Sequence, residues 1–164
     1  MMIVLDTNVV SELLRLVPSS QVEAWLSAQD GEQVYFTAVG EAELRHGVAV
    51  LPEGRRRTAL TKAIEDILGE DFRGRILPFD SAAAKAYAAI AAERRAAGRP
   101  ISQFDCQIAA IARANAAAVA TRNTTDFEAC GIQLFDPWAL PTYYKLDLIL
   151  IPNFPIPFKP TYTA

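Results

Sequence analysis

Ile3-Val4-Leu5-Asp6-Thr7-Asn8 is the stretch on which the fold turns. An apolar run, Met2 to Leu5, stops at a carboxylate, and a helical pattern begins within three residues. A short run that is apolar without alternation reads as a strand covered on both faces, as in a parallel sheet. Ligands of open α/β sheets bind outside the carboxyl ends of the strands. Asp6 occupies such an end if Met2–Leu5 is a central strand.

Working outward, strand and helix patterns alternate. Strands are predicted at Ile3–Leu5, Val34–Phe36, Ile76–Leu77, Ala118–Ala120 and Ile132–Phe135. Helices are predicted at Val9–Arg15, Ser20–Ala28, Val39–Val50, Thr58–Leu68, Ser81–Ala97, Ser102–Ala114 and Asp126–Ala129. Asp30-Gly31 marks a turn, and Gly98 followed by Pro100 ends the longest helix. The alternation predicts an α/β fold in three layers, α/β/α, around a mainly parallel sheet of about five strands. Asp6, the segment after Phe36, Asp80 and the Thr121–Asn123 turn then share one edge of the sheet.

The 164 residues suit one domain, and 51% of them are hydrophobic, which excludes a disordered chain. Five of the ten prolines follow Leu140. The domain is therefore placed at residues 1–138, with 139–164 a Pro-rich C-terminal appendage in which Leu146–Ile151 alternates weakly, as an edge strand does. A net charge of −3 argues against binding nucleic acid by bulk charge alone. It does not exclude a nuclease, because a bound cation reverses the sign of an acidic site.

Two cysteines and a single histidine, in no ligand spacing, exclude a zinc centre, and Cys106 reads as a buried thiol. Glycine-rich phosphate loops are absent. Neither Ser11 nor Ser102 has a histidine partner for nucleophilic catalysis. The N-terminus reads as a strand, with no basic leader and no span long enough for a membrane, so a cytoplasmic location is expected.

What remains is a set of hard oxygen donors. Glu43 flanks the Val39–Leu44–Val48 stripe of its helix, with Glu41 pointing elsewhere; alone it also reads as a solvated glutamate. Asp105 lies three residues after Ser102, a capping-box spacing, while Phe104, Ile108 and Ile111 are expected to turn the helix start toward the core. Asn123 and Asp126 share the same spacing and also read as caps. His46 lies one turn beyond Glu43 and is a candidate substrate contact, though equally a plain helix residue. Oxygen donors of this kind suit Mg2+ or Mn2+ and phosphodiester hydrolysis. Thr7 and Asn8 are expected to orient Asp6, and Arg122 and the Arg55–Arg57 clump are candidate phosphate contacts.

Six segments carry a resemblance: I-V-L-D-T-N-V-V-S-E at Ile3–Glu12, A-E-L-R-H-G-V at Ala42–Val48, R-I-L-P-F-D at Arg75–Asp80, I-S-Q-F-D-C-Q-I-A-A-I-A at Ile101–Ala112, V-A-T-R-N-T-T-D-F at Val119–Phe127 and F-D-P-W at Phe135–Trp138. In this order they resemble the PIN-domain ribonucleases, most closely the VapC/FitB-like toxins of toxin–antitoxin modules. The resemblance implies a Mg2+-dependent endoribonuclease, with Asp6, Glu43 and Asp105 at the family's first three acidic positions. Asp6 and Asp105 would bind the metal directly, Glu43 directly or through water. The fourth position falls on Asn123, with Asp126 nearby. It further implies an RNA substrate, a DNA-binding antitoxin as partner, and a homodimer.

Two rival readings differ in testable ways. A haloacid-dehalogenase-type phosphatase also opens with a strand ending in Asp, but needs a second Asp where this chain has Asn8. A non-catalytic PIN-fold module would grip RNA or antitoxin without metal-dependent cleavage.

Overall fold

A computed structural model describes residues 1–139. The appendage assigned to 139–164, including the edge strand at Leu146–Ile151, lies outside the described residues except for Ala139. Five strands, β1 (Ile3–Leu5), β2 (Val34–Thr37), β3 (Ile76–Leu77), β4 (Ala118–Ala120) and β5 (Leu134–Phe135), form one sheet in the order β3-β2-β1-β4-β5. Every pairing is parallel. β1 is central and wholly buried, as its unbroken apolar run requires.

Seven helices cover the sheet: α1 (Thr7–Leu13), α2 (Ser20–Ser27), α3 (Ala38–Ala49), α4 (Arg55–Asp66), α5 (Ser81–Ala96), α6 (Gln103–Ala114) and α7 (Thr124–Phe127). Strand alternation divides the core in two. Ile3, Leu5, Val34, Phe36 and Ala120 face Val10, Val22, Leu44 and Ile64 of α1–α4. Val4 and Val119 face Ile90, Ile108, Ala109 and Phe127 of α5–α7. The alanines of α6 that meet the sheet are buried, so their small side chains allow close helix–sheet packing.

Several boundaries move. α1 starts at Thr7 because Asp6 caps it, its Oδ1 accepting the Thr7 N–H at 2.7 Å. α4 takes in the Arg55–Arg57 clump as its first turn and continues into a π-turn at Ile67–Asp71. The predicted Asp126–Ala129 helix is instead α7, two residues earlier, because Glu128 is already extended. The carbonyl of Glu128 accepts a 2.7 Å bond from the buried Arg94 of α5. β5 is shorter than Ile132–Phe135, as only Leu134 and Phe135 pair with β4.

The strand order reverses direction between β1 and β4, which makes their carboxyl ends the topological switch point. Register places Leu5 opposite Ala120, and the Asp6 N–H continues the ladder to the Ala120 carbonyl at 2.9 Å. Asp6 and Thr121 therefore leave the sheet side by side.

Candidate active site

Asp6 is 5% exposed, and all its contacts are local to the switch point. Besides the Thr7 N–H on Oδ1, its Oδ2 accepts the Asn8 amide at 2.7 Å and the Thr121 hydroxyl at 2.7 Å. The Asn8 amide also reaches Thr121 Oγ1 at 3.1 Å. These donors fix the carboxylate's plane and leave a lone pair open on Oδ1.

Thr7 has a second role that spacing did not reveal. Its hydroxyl donates to Glu43 Oε2 at 2.6 Å, so it joins α1 to α3. α3 is started by Thr37, whose Oγ1 accepts the Gly40 N–H at 2.9 Å. Glu43 follows one turn later, half-buried, while Glu41 turns outward to pair with Arg45 at 2.8 Å.

Asp105 stands in the first turn of α6, half-buried. Ser102 caps this helix, accepting the Asp105 N–H at 3.1 Å and donating its hydroxyl to Asp105 Oδ2 at 2.6 Å. The expectation that Phe104 packs toward the core is wrong: its ring is 52% exposed. The core contacts of this turn come from Cys106, Ile108 and Ala109 instead.

Burial drives the Asp6 pKa up to about 6. The hydrogen bonds from Thr121 and Thr7 work against that rise, and the charges of Asp105 and Glu43 add to it. The charges of Asp105 and Glu43 thus reach Asp6 at the switch point. Among the described residues no group of three or more His, Cys, Asp or Glu side chains forms a ready-made metal cage. The donor chemistry nevertheless fits a magnesium-type ion, which keeps several waters and takes only one or two carboxylates together with substrate phosphates. Among the described residues, Glu43 Oε1 and Asp105 Oδ1 accept no hydrogen bond.

The other candidates separate. The Asn123 N–H donates to Thr121 Oγ1 at 3.0 Å, but its exposed side chain makes no cap. Asp126 is exposed on α7, and its described bond is a backbone one to the Asn123 carbonyl at 3.0 Å. His46 is exposed near the end of α3 and does not enter the network. Arg122 does enter it, through its N–H to Asn8 Oδ1 at 3.3 Å. Asp80 caps α5 by accepting the Ala83 N–H at 2.9 Å. Two shallow cavities, of about 160 and 200 Å³, lie elsewhere, one beside Ala116–Ala118 and Gly131 and one between α3 and α4.

The residue that reading the sequence did not assign is Thr121. It lay inside a quoted segment, but a threonine at a strand end carries no signal until register puts it beside Asp6.

The model of the PIN domain matches residues 3–131. The chain belongs to the PIN-domain family. It is similar to the VapC ribonuclease Y4jK of Sinorhizobium fredii, with 44% identity over 84% of this chain and 98% of that protein. It is similar to the toxin FitB of Neisseria gonorrhoeae, with 44% identity over 84% of this chain and 99% of that protein. Among solved structures, FitAB bound to an IR36 DNA fragment superposes with a TM-score of 0.80 and 43% identity, covering 85% of this chain and 98% of that one. The chain is thus a VapC/FitB-like PIN domain. No helix among the described residues is long and apolar enough to cross a membrane.

Proposed function

We propose that this chain is the ribonuclease toxin of a toxin–antitoxin module, a Mg2+-dependent endoribonuclease acting in the cytoplasm. One observation carries the reading: a carboxylate, Asp6, sits at the sheet's switch point with its proton affinity raised first by burial and further by the charges of Asp105 and Glu43. Such mutual repulsion is costly unless a cation or a proton is taken up. Asp6 and Asp105 would hold the cation directly, and Glu43 directly or through water; Mn2+ suits the same donors. When bound, the metal supplies a water of lowered pKa and neutralises charge on the scissile phosphate.

The protein's own part is positional. Asn8 and Thr121 hold Asp6 in one orientation, and Thr7 holds Glu43. The family's fourth acidic position falls on Asn123, with Asp126 nearby, and a neutral amide there favours a single cation. His46 and Arg122 are the candidate contacts to RNA.

The partner is a small antitoxin whose N-terminal part binds DNA and whose C-terminal segment lies over the acidic edge. An arginine or lysine of that segment is drawn by the same charges that draw a cation. The similar FitAB structure is bound to a DNA fragment, which supports a DNA-binding partner. The chain pairs as a homodimer.

The test compares the parent with Asp6→Asn and Glu43→Gln, each shown folded by circular dichroism, on structured RNA with Mg2+ or with EDTA. Cleavage by the parent with Mg2+ alone, lost in both variants, is expected. Equal cleavage by parent and Asp6→Asn overturns the assignment. Tight RNA binding without metal-dependent cleavage favours the non-catalytic module.

A further inference from the structure

Arg122 is exposed, yet both its backbone and its guanidinium are held. Its N–H is tied to Asn8 Oδ1 at 3.3 Å, and Asn8 is tied to Asp6 at 2.7 Å. Its Cζ lies 5.4 Å from the centroid of the Trp138 ring. Trp138 is itself fixed: Asp136 Oδ1 accepts its N–H at 2.9 Å, and its ring packs against the core face formed with α1–α4. On that face Trp25 meets Phe135 of β5 at 6.1 Å. The indole is thus anchored to the sheet, and Arg122 rests on it.

Among the described residues no carboxylate pairs with the Arg122 guanidinium, whereas Arg15, Arg45, Arg99 and Arg113 each face one. A guanidinium that lies on an aromatic ring keeps its N–H edge free, and that edge matches two oxygens of a phosphate. Stacking also removes in advance the rotamer freedom that a loose surface arginine loses on binding.

We propose that Arg122 and Trp138 form one phosphate-binding subsite, in which the indole aims the guanidinium at a backbone phosphate of the RNA strand lying across Asp6. The inference rests on the ribonuclease reading above. Arg122 is the contact, and Trp138 is a positioning residue that acts through it. The F-D-P-W segment, which leaves β5 at the same carboxyl edge of the sheet as Asp6, thereby serves the site.

The test uses the full chain with Arg122→Gln, Trp138→Leu, Trp138→Phe and the double variant Arg122→Gln/Trp138→Leu, each checked for folding by circular dichroism. Initial rates with Mg2+ are measured against RNA concentration. Binding of a labelled single-stranded RNA is measured across NaCl concentrations in an Asp6→Asn background, which stops cleavage. Arg122→Gln is expected to raise KM about tenfold with kcat within about twofold, as one charge-assisted phosphate contact is lost. It is also expected to flatten the salt dependence of log K by about 0.7. Trp138→Leu is expected to reproduce both changes, Trp138→Phe to recover most of them, and the double variant to be no worse than Arg122→Gln.

Trp138→Leu with the parent's KM and salt slope overturns the proposal. So does a Trp138→Leu loss of the same factor in the parent and in the Arg122→Gln chain, which marks a merely structural role. If Trp138→Leu fails to fold, the KM and salt slope of Arg122→Gln decide, and a parental value of either overturns it. A parent that neither binds nor cleaves RNA overturns the ribonuclease reading and this one together. A parent that cleaves, matched by every variant, overturns this one alone.

Discussion

Thr121 Oγ1 lies 2.7 Å from Asp6 Oδ2, although 115 residues separate the two in the chain. The hydroxyl donates to the ionised carboxylate, and in doing so opposes the effect of burial on its pKa. Thr121→Val keeps the shape and removes the donor. The Asp6 pKa, already about 6, then rises further. The acid limb of the pH–rate profile on RNA is expected to move to higher pH by about one unit, the scale of one charge-assisted hydrogen bond. A profile over pH 5 to 9 checks this, and an unmoved limb contradicts it.

The same pair shows what could be read ahead of the structure. Asp6 was legible because a charge after an unbroken apolar run is a local signal. The alternation of strand and helix was legible for the same reason, and so the α/β/α layering followed. Glu43 and Asp105 were legible only as members of a set, since each alone is an ordinary helix residue. Thr121, and the use of Thr7 on Glu43 rather than on Asp6 alone, were not legible. Both depend on register between strands and helices far apart in sequence. The early start of α7 was hidden as well, because the extended Glu128 that ends it is bonded through its carbonyl to Arg94, on another helix.

Stability should depend on pH and metal together. The folded Asp6 holds its proton up to about pH 6, against an ordinary value of 3.8. Its contribution is fully favourable below the unfolded value and is lost as pH rises through about 6. The loss is on the order of 2–3 kcal/mol, since each pKa unit is worth about 1.4 kcal/mol. A divalent cation favours the ionised form and offsets that loss. The rise in Tm on adding Mg2+ is therefore expected to be larger at pH 7.5 than at pH 5, by several degrees. Differential scanning fluorimetry in MgCl2 against EDTA measures it; an equal rise at both pH values would contradict the metal assignment.

Glu12 is a buried carboxylate with a different task. It is 8% exposed, accepts the Ser19 N–H at 2.9 Å and pairs with Arg15 at 3.0 Å. It thereby ties the end of α1 to the start of α2. Glu12→Ala leaves the Ser19 N–H without its partner and is expected to cost about 1–3 kcal/mol in urea denaturation. Arg15 is exposed, so Arg15→Ala is expected to cost under about 1 kcal/mol. Both variants should keep kcat on RNA within about threefold of the parent, because neither side chain bonds to Asp6, Glu43 or Asp105. A large fall in kcat for folded Glu12→Ala would place Glu12 in the site instead.

Gly40 and Gly47 occupy the same helix, α3, and predict opposite outcomes. A Cβ on Gly40 would stand 2.6 Å from Phe36 Cζ and 3.0 Å from Thr7 Oγ1. The Phe36 ring is wholly buried and packs on Phe72 at 5.5 Å between centroids, so it cannot turn away freely. Gly40→Ala is therefore expected to cost about 1–3 kcal/mol through overpacking, in spite of the better helix propensity of alanine. It should also displace Thr7 from Glu43 and lower kcat on RNA more than it alters KM. A Cβ on Gly47 meets nothing within 4 Å. Gly47→Ala should raise stability by about 0.5–1 kcal/mol and leave kcat unchanged. Urea denaturation and steady-state rates on the two variants check both halves. A stabilised, fully active Gly40→Ala chain would show that the close approach of α3 to Phe36 and Thr7 is not what holds Glu43 in place.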